Sequence, residues 1–379
     1  MPPRTETIPL LAASPGTSRV LTVHRFGQPG ARPKAYLQAS LHADETPGLL
    51  VLHHLHGLLA AAEGRGEIRG EVVLVPYANP IGLAQFANGM HLGRYEAGGG
   101  GNFNRNWPDL YTPIVEGLAD KLGSDETANV AAIRAAQRAH LEAQEPGSEL
   151  ESLRLTLASL AVDADLVWDL HCDDESLMHL FLIPAHWPQA ADFAADLGCR
   201  AVLLAEDSGG NSFDETFSTP WTRLAKHYPQ HPIPAACLAA TVELRGFADV
   251  DDATAAGDAQ ALFHSLQRFG VVAGDPPPPP TLRCQATRLD ATDSVRAPAT
   301  GVLAYTVQLG DEVEAGDVIA WVVDPTAVPE HARLPVTTRA SGLVLSRRTQ
   351  RYARPGMPIA KVVGEDALPH RQGDYLLED

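Results

Sequence analysis

Apolar and polar residues alternate from Ala35 to Leu41, which predicts a β-strand that ends directly before His42. Thr46 then matches the N-cap of a helix that runs over Pro47–Ala62. Open α/β sheets place their sites in the crevice at the carboxyl ends of their strands. We therefore expect His42 to face such a crevice, with Glu45 in the short turn beside it.

Further apolar runs predict additional strands and helices. The expected strands are Glu71–Tyr77, Ala164–Cys172 and Leu238–Leu244, which are predicted to be buried, and also His179–Pro184 and Arg200–Ala205. Helical spacing marks Glu116–Leu160, with a break near Glu145, and also Pro188–Leu197 and Asp251–Phe269. An edge hairpin is expected within residues 1–33. Alternating strands and helices of this kind predict the α/β fold class.

Two segments show no clear period. The first, Ala78–Asp109, is rich in turn residues and is too long for an ordinary connection, which favours a functional segment. The second, Ser208–Trp221, combines small polar residues with aromatics. We expect it to be a loop, either lining a pocket or serving as a plain surface connection.

The five prolines Pro276–Pro280 predict a stiff polyproline spacer. Beyond them the sequence changes to short strands separated by turns, and its two halves match loosely, as expected of a duplicated β unit. We therefore predict a domain over residues 1–275, a linker over 276–280 and a small barrel-like β-domain over 281–379.

Composition narrows the possible partners. The chain has 379 residues, and its 29 Lys and Arg against 47 Asp and Glu give a net charge of −18 without a basic patch. Nucleic acid is therefore not an expected partner. The four cysteines form no CxxC pair, and no run is long or apolar enough for a signal peptide or a membrane span. We expect a soluble, cytoplasmic protein with no membrane partner.

Two strand ends carry residue types that bind metal ions. His42 and Glu45 form an HxxE pair that could share one Zn²⁺, although a solvated helix entrance would show the same residues. His171 lies near the end of a second buried strand, where Asp169 or Asp173 could orient its other ring nitrogen. A second strand-end histidine favours a metal site.

Three further residues suggest chemistry. Glu243 ends a buried strand, so its carboxylate needs a partner, which could be a neighbouring cation such as Arg245 or a zinc-bound water. Asn104 and Arg105 offer an amide and a planar donor fork that suit a substrate carboxylate, unless Arg105 is a plain surface residue. The Gly98–Gly101 run does not match a phosphate-binding loop, because it follows no strand and lacks GK[ST].

The segments HADE, NFNRNWP, DLHC and VELR occur in this order. Together they resemble the zinc carboxypeptidase superfamily, and in particular its succinylglutamate desuccinylase/aspartoacylase branch. The resemblance covers roughly residues 30–270. It implies a mixed, twisted sheet flanked by helices, followed by the small C-terminal β-domain that is typical of this branch.

The resemblance also implies roles for single residues. The zinc ligands would be His42, Glu45 and His171, the general base would be Glu243, and Asn104 and Arg105 would bind the substrate carboxylate. Arg94 is the candidate for the arginine that polarises the scissile carbonyl, although the glycine run alters its spacing from Asn104.

Two features depart from the superfamily pattern. The tyrosine that carboxypeptidases place before the catalytic glutamate has no clear equivalent, because only Tyr228 lies between His171 and Glu243 and it receives no role. The C-terminal unit is similar to biotinyl/lipoyl domains, but it has no lysine between Val295 and Arg354, so we do not expect a carrier arm. In the acylase branch this domain narrows the mouth of the site and favours small substrates.

The resemblance therefore implies a zinc-dependent amidohydrolase with one Zn²⁺ per chain. Its expected substrate is a small N-acylated amino acid or related amine, hydrolysed by metal-activated water. The alternatives are a zinc carboxypeptidase acting on peptide C-termini and a binding protein without turnover. Homo-oligomers are common in this group. The acyl group, the amine and the native metal are left open.

Overall fold

A mixed sheet organises the computed structural model, which describes residues 4–371 and Leu376. Within these residues the sheet has nine strands in the order β1-β2-β4-β3-β5-β8-β6-β7-β9. The strands are β1 Arg4–Pro9, β2 Val20–Gly27, β3 Lys34–Ala39, β4 Glu71–Val75, β5 Leu166–Asp173, β6 His179–Leu182, β7 Ala201–Leu204, β8 Leu238–Gly246 and β9 Ala286–Arg288. The predicted α/β class and the mixed sheet are confirmed, and β1 and β2 form the expected edge hairpin.

Helices cover both faces of the sheet, as the resemblance implies. They are α1 Pro47–Gly64, α2 Glu126–Glu142, α3 Glu149–Ala161, α4 Ala191–Asp196, α5 Phe213–His227 and α6 Asp252–Arg268. One apolar core lies between the sheet and α1, α4 and α6, and a second core lies between the sheet and α2, α3 and α5. No helix in the described part of the chain is long and apolar enough to cross a membrane.

Three neighbouring strands, β3, β5 and β8, run parallel and bring the expected site residues together. Ala39, at the end of β3, pairs with Leu170 of β5, so His42 and His171 come to the same edge of the sheet. His171 in turn pairs with Glu243 of β8. Residues far apart in sequence therefore become neighbours through the order of the strands alone.

The prediction of a loop over Ser208–Trp221 is wrong, because α5 begins at Phe213 and continues through Pro220. Apolar residues at helical spacing, which include Phe213, Phe217 and Trp221, face the core. Ser212 holds the N-cap position in an extended conformation, and acidic residues occupy the first turn. Pro220 and the small polar residues concealed this helical period in the sequence.

Short strands build the C-terminal region in two sheets around their own apolar core. The strands of three or more residues are Thr292–Arg296, Gly301–Tyr305, Val318–Val323, Arg333–Thr337, Gly342–Arg347 and Pro358–Gly364. The segment Glu175–Ser176, which follows β5, pairs with Gly342–Arg347 and joins one of these sheets. Conversely, β9 lies beyond the proline run but extends the large sheet.

Gly48 lets the first turn of α1 pack closely against the strands that lead to the site. An added Cβ there would lie 2.9 Å from Cβ of Ala39 and 3.0 Å from Cβ of Leu170. We therefore expect Gly48→Ala to lower the free energy of unfolding by about 1–3 kcal/mol through overpacking. Gly57 in the same helix is the matched control, since its added Cβ meets nothing within 4 Å.

Urea denaturation of both variants checks this prediction. Gly57→Ala is expected to be neutral or to stabilise by up to about 1 kcal/mol, as for an exposed helical glycine. Equal effects of the two substitutions would show that the space around Gly48 does not limit the approach of the helix.

Candidate active site

Three side chains able to bind a metal ion meet at the carboxyl ends of the central strands. His42 follows β3, Glu45 lies in the turn before α1, and His171 lies near the end of β5. All three are buried, and one potential ligand atom from each lies within 4.8 Å of the others. The two imidazole rings are nearly perpendicular, with centroids 4.9 Å apart. They are close enough to share one ion.

The carboxylate of Glu45 lies between the two imidazoles. Its Oε1 is 2.9 Å from Nδ1 of His42, and its Oε2 is 2.8 Å from Nδ1 of His171. The backbone N–H of Cys172 also donates to Oε2 at 3.1 Å. The Nδ1 atoms of both histidines therefore point to one place, and the same carboxylate holds both.

The outer ring nitrogens determine which tautomer each histidine adopts. Nε2 of His42 lies 2.8 Å from Oδ1 of Asn102, and this oxygen also accepts from the backbone N–H of Asn104. Nε2 of His171 lies 2.9 Å from Oδ2 of Asp169. Since both oxygens accept hydrogen bonds, a neutral ring at either position donates through Nε2 and leaves Nδ1 available as a ligand. The donor set and its orientation fit a zinc ion.

The residues that orient the ligands were only partly predictable. Asp169 and Asp173 were both candidates for the partner of His171, and the structure places Asp169 there. Asn102 was missed, because it lies in the glycine-rich segment without a period. Its position two residues before Asn104, in the motif NFNRNWP, was the only available signal.

The charges around this cluster favour a cation. Burial and the nearby Arg94 lower the pKa of His42 to about 4. Burial acts to lower the pKa of His171 as well, but the carboxylates of Asp169 and Glu45 outweigh it and raise that pKa well above its usual value. In Glu45, burial is outweighed by the two histidines, so its pKa is held well below normal. Carboxylates that retain a proton on His171 would also stabilise a divalent ion.

Glu243 lies beside His171 in the same cavity, and its Oε2 is buried without a hydrogen-bond partner among the described residues. Burial, and then the charge of Glu45, raise its pKa to about 8. Arg245 does not neutralise it, since that guanidinium pairs with Asp258. A buried carboxyl group with one free oxygen is suited to hold and transfer a proton.

The three predicted substrate-contacting residues border the same cavity. Nη1 of Arg94 lies 3.2 Å from Nδ1 of His42 and 3.3 Å from Oε1 of Glu45. Oδ1 of Asn104 accepts from the backbone N–H of Phe213, at the start of α5. Arg105 is buried, and its Nη1 donates to the backbone oxygen of Asn104 at 2.7 Å.

The C-terminal region contributes a residue that the sequence did not suggest. Nζ of Lys361 lies 2.6 Å from Oδ2 of Asp173, two residues after His171, and borders the cavity near Glu243. Nη2 of Arg347 lies 2.9 Å from Glu175 in the same segment. The chain that follows His171 is thus paired with the C-terminal strands.

The cavity has a volume of about 400 Å³, at the small end of the range for ligand pockets. It holds the three ligand residues, Glu243 and the candidate substrate residues together. Tyr228 does not border it and instead donates its hydroxyl to the backbone oxygen of Val115.

Comparison with known proteins finds relatives along most of the chain. The family model described as the succinylglutamate desuccinylase/aspartoacylase catalytic domain matches residues 31–267. A curated relative, the N-alpha-acetyl-L-2,4-diaminobutyric acid deacetylase of Halomonas elongata, is 24% identical over 343 residues. That alignment covers 88% of this chain and 82% of the relative.

Solved structures show the same fold along almost the whole chain. A family protein from Shewanella amazonensis SB2B has a TM-score of 0.84 and 26% identity, covering 95% of this chain and 98% of its own. Another from Shewanella frigidimarina NCIMB 400 has a TM-score of 0.85 and 23% identity, covering 96% and 97%. The shared fold includes the C-terminal β-region.

The raised pKa of Glu243 predicts how the stability of the metal-free protein depends on pH. An unfolded glutamate has a pKa near 4.3, so between about pH 5 and 8 it is ionised only when the chain unfolds. Unfolding then releases a proton, and the native state loses stability as pH rises. Glu243→Gln lacks this carboxyl group. We therefore expect its free energy of unfolding to rise relative to that of the wild type by up to a few kcal/mol between about pH 5 and 8.

Urea unfolding of chelator-treated wild type and Glu243→Gln at pH 5, 6, 7 and 8 measures this difference. Zinc should reduce the difference, because a cation beside the carboxylate favours its ionised form. A stability difference that stays constant from pH 5 to 8 would contradict the assignment of the raised pKa to Glu243.

Proposed function

Because this chain belongs to the succinylglutamate desuccinylase/aspartoacylase family, we propose that it is a zinc-dependent amidohydrolase that deacylates a small N-acylated amino acid or related amine. The observation that carries the proposal is the convergence of both Nδ1 atoms on Glu45, with the free oxygen of Glu243 in the same cavity. Ligand residues, a base and anion-binding groups are thus available in one small space.

In this proposal His42, Glu45 and His171 hold one zinc ion. Zinc bound there would supply Lewis-acid chemistry that activates a water and polarises a carbonyl. Asn102 and Asp169 keep the two imidazoles in the tautomer that presents Nδ1. Their contribution is positional, since each acts on the site through the ring nitrogen of a proposed ligand.

Glu243 is the proposed general base. It would take a proton from the attacking water and pass it to the nitrogen of the leaving amine, so that the amide C–N bond breaks into an acid and an amine. A pKa near 8 in the metal-free site indicates a carboxyl group that holds a proton near neutral pH. The charge of a bound cation would lower the pKa of this carboxyl group and so favour its ionised form.

Arg94 and the Asn104–Arg105 pair would bind the substrate. The guanidinium of Arg94 now donates to the atoms proposed as zinc ligands, and it would be released from them towards a carbonyl oxygen. Loss of one such donor typically costs about 3 kcal/mol of transition-state stabilisation. Arg105 would anchor the carboxylate of the amino-acid half.

The size of the cavity favours a small substrate over a peptide. Residues of the C-terminal region, including Ile359 and Lys361, form part of its lining and limit the room on that side. The Halomonas relative carries the name of a deacetylase of a small acetylated amino acid, which supports the same substrate class. The carboxypeptidase alternative would need space for a longer chain.

Activity assays with purified, zinc-loaded protein test the proposal. We expect release of free amine from N-acetyl or N-succinyl amino acids and no release of C-terminal residues from peptides. Glu243→Gln should lower kcat by about 10²- to 10⁴-fold, with the zinc content unchanged. His171→Ala should lose zinc, whereas His53→Ala, an exposed histidine of α1, should keep both zinc and activity.

Each contrary result has a distinct meaning. Cleavage of peptides alone would replace the deacylase with a carboxypeptidase. Full activity in Glu243→Gln would remove that residue from the mechanism. Zinc retained at wild-type stoichiometry in His171→Ala would contradict the proposed ligand set.

A further inference from the structure

The face of the sheet that carries Glu243 becomes apolar away from the candidate metal site. Directly paired residues on neighbouring strands, and residues two apart on one strand, share a face. Thr241 therefore lies on the face of Glu243, and it pairs with Phe181, which pairs in turn with Leu203. At a strand spacing of about 4.8 Å, Leu203 lies about 10 Å across the sheet from the strand of Glu243.

Apolar side chains surround this end of the cavity. Phe181, Leu203 and Leu289 are 8%, 1% and 2% exposed and belong to one apolar cluster. Leu376 packs against the same cluster and also borders the cavity, as does Ala205. The cavity therefore has a polar end at the histidines and a largely apolar end over β6 and β7, where Arg371 also borders it and donates to the backbone oxygen of Leu376.

The loop that precedes α5 shows which half of the substrate would reach the apolar end. Gly210 packs against Arg105 so closely that an added Cβ would lie 2.4 Å from its Cδ. Two residues earlier, the backbone oxygen of Ser208 accepts from the N–H of Leu376 at 2.9 Å. The apolar end thus adjoins Arg105, the proposed anchor of the carboxylate. An amino-acid side chain branches from the carbon that carries this carboxylate, so it is the part that would enter.

Two carboxyl groups near the same loop could instead favour a cationic side chain. Oδ1 of Asp214 accepts from the hydroxyl of Ser212 at 2.7 Å, and Oε1 of Glu215 accepts from the N–H of Ser208 at 2.6 Å. Burial, together with the neighbouring Asp214, raises the pKa of Glu215 to about 7. Both carboxyl groups are thus already hydrogen-bonded within the loop. The apolar side chains make no hydrogen bonds of this kind.

We infer that the cavity selects N-acylated amino acids with an apolar side chain, which packs against Phe181, Leu203 and Leu289. This specificity rests on the proposed function and goes beyond it by naming the amine half of the substrate. Each buried methylene contributes about a fourfold gain in binding. A side chain three methylenes longer should therefore be preferred by at least about tenfold.

A matched substrate panel tests the inference on the wild-type, zinc-loaded protein. The N-acetyl and N-succinyl derivatives of L-alanine, L-norleucine, L-phenylalanine, L-aspartate and L-2,4-diaminobutyrate are compared by kcat/KM. We expect the norleucine or phenylalanine derivative to exceed the alanine, aspartate and diaminobutyrate derivatives by at least about tenfold.

A substitution that fills the apolar end locates the effect. Because it fills the apolar end, Ala205→Phe should lower the ratio of kcat/KM for the norleucine derivative to kcat/KM for the alanine derivative at least about tenfold. Ala235→Phe is the control. Ala235 borders a separate cavity next to Arg32 and Arg134, at the edge of the sheet opposite the candidate active site. Zinc content and melting temperature of both variants report whether the fold is retained.

The possible outcomes separate the two proposals. A preference for the diaminobutyrate or aspartate derivative, or no preference at all, overturns the apolar specificity and leaves the deacylase in place. Cleavage of none of the derivatives overturns the deacylase and the inference with it. The wild-type panel decides the specificity even if Ala205→Phe does not fold.

Discussion

The buried carboxylate of Glu45 is the constraint on which the site depends. A buried charge costs several kcal/mol unless it is paired and hydrogen-bonded. Its partners are His42, His171, the backbone of Cys172 and the guanidinium of Arg94, which belong to three different parts of the chain. The carboxylate is satisfied only when β3 and β5 lie side by side in register. The pairing of the central strands and the assembly of the site are therefore linked.

The C-terminal region belongs to this arrangement. Asp173 and Glu175 follow His171, and they pair with Lys361 and Arg347 from the C-terminal strands. The segment Glu175–Ser176 also pairs with a C-terminal strand. The β-region therefore holds the chain directly after His171 and lines the cavity, which gives the proposed restriction of substrate size a physical basis. The exact domain boundaries around the proline run stay a prediction.

Local patterns made the main elements predictable from the sequence. The alternation before His42, the Thr46–Pro47 helix start and the apolar run before His171 act over a few residues, and each element forms near its predicted bounds. Thr46 holds the N-cap position, although its side chain makes no capping hydrogen bond. The resemblance to a known family then indicated which of these residues meet at the site.

Features set by tertiary contacts were not predictable. Asn102 orients His42 from a segment without a period, and Lys361 reaches the cavity only through the packing of the C-terminal strands. Helix α5 was hidden by Pro220, although its apolar face is clear once the core is known. The apolar end of the cavity depends on the pairing of β6, β7 and β8, which no local pattern encodes.

The central claim is that Nδ1 of His42, Nδ1 of His171 and the carboxylate of Glu45 hold one zinc ion. Anomalous diffraction from crystals of the zinc-loaded protein, recorded on both sides of the zinc absorption edge, tests it most directly. The account predicts one peak per chain, about 2.0–2.2 Å from both Nδ1 atoms and from an oxygen of Glu45. A peak bound through Nε2, or at other residues with this cluster left empty, would contradict it.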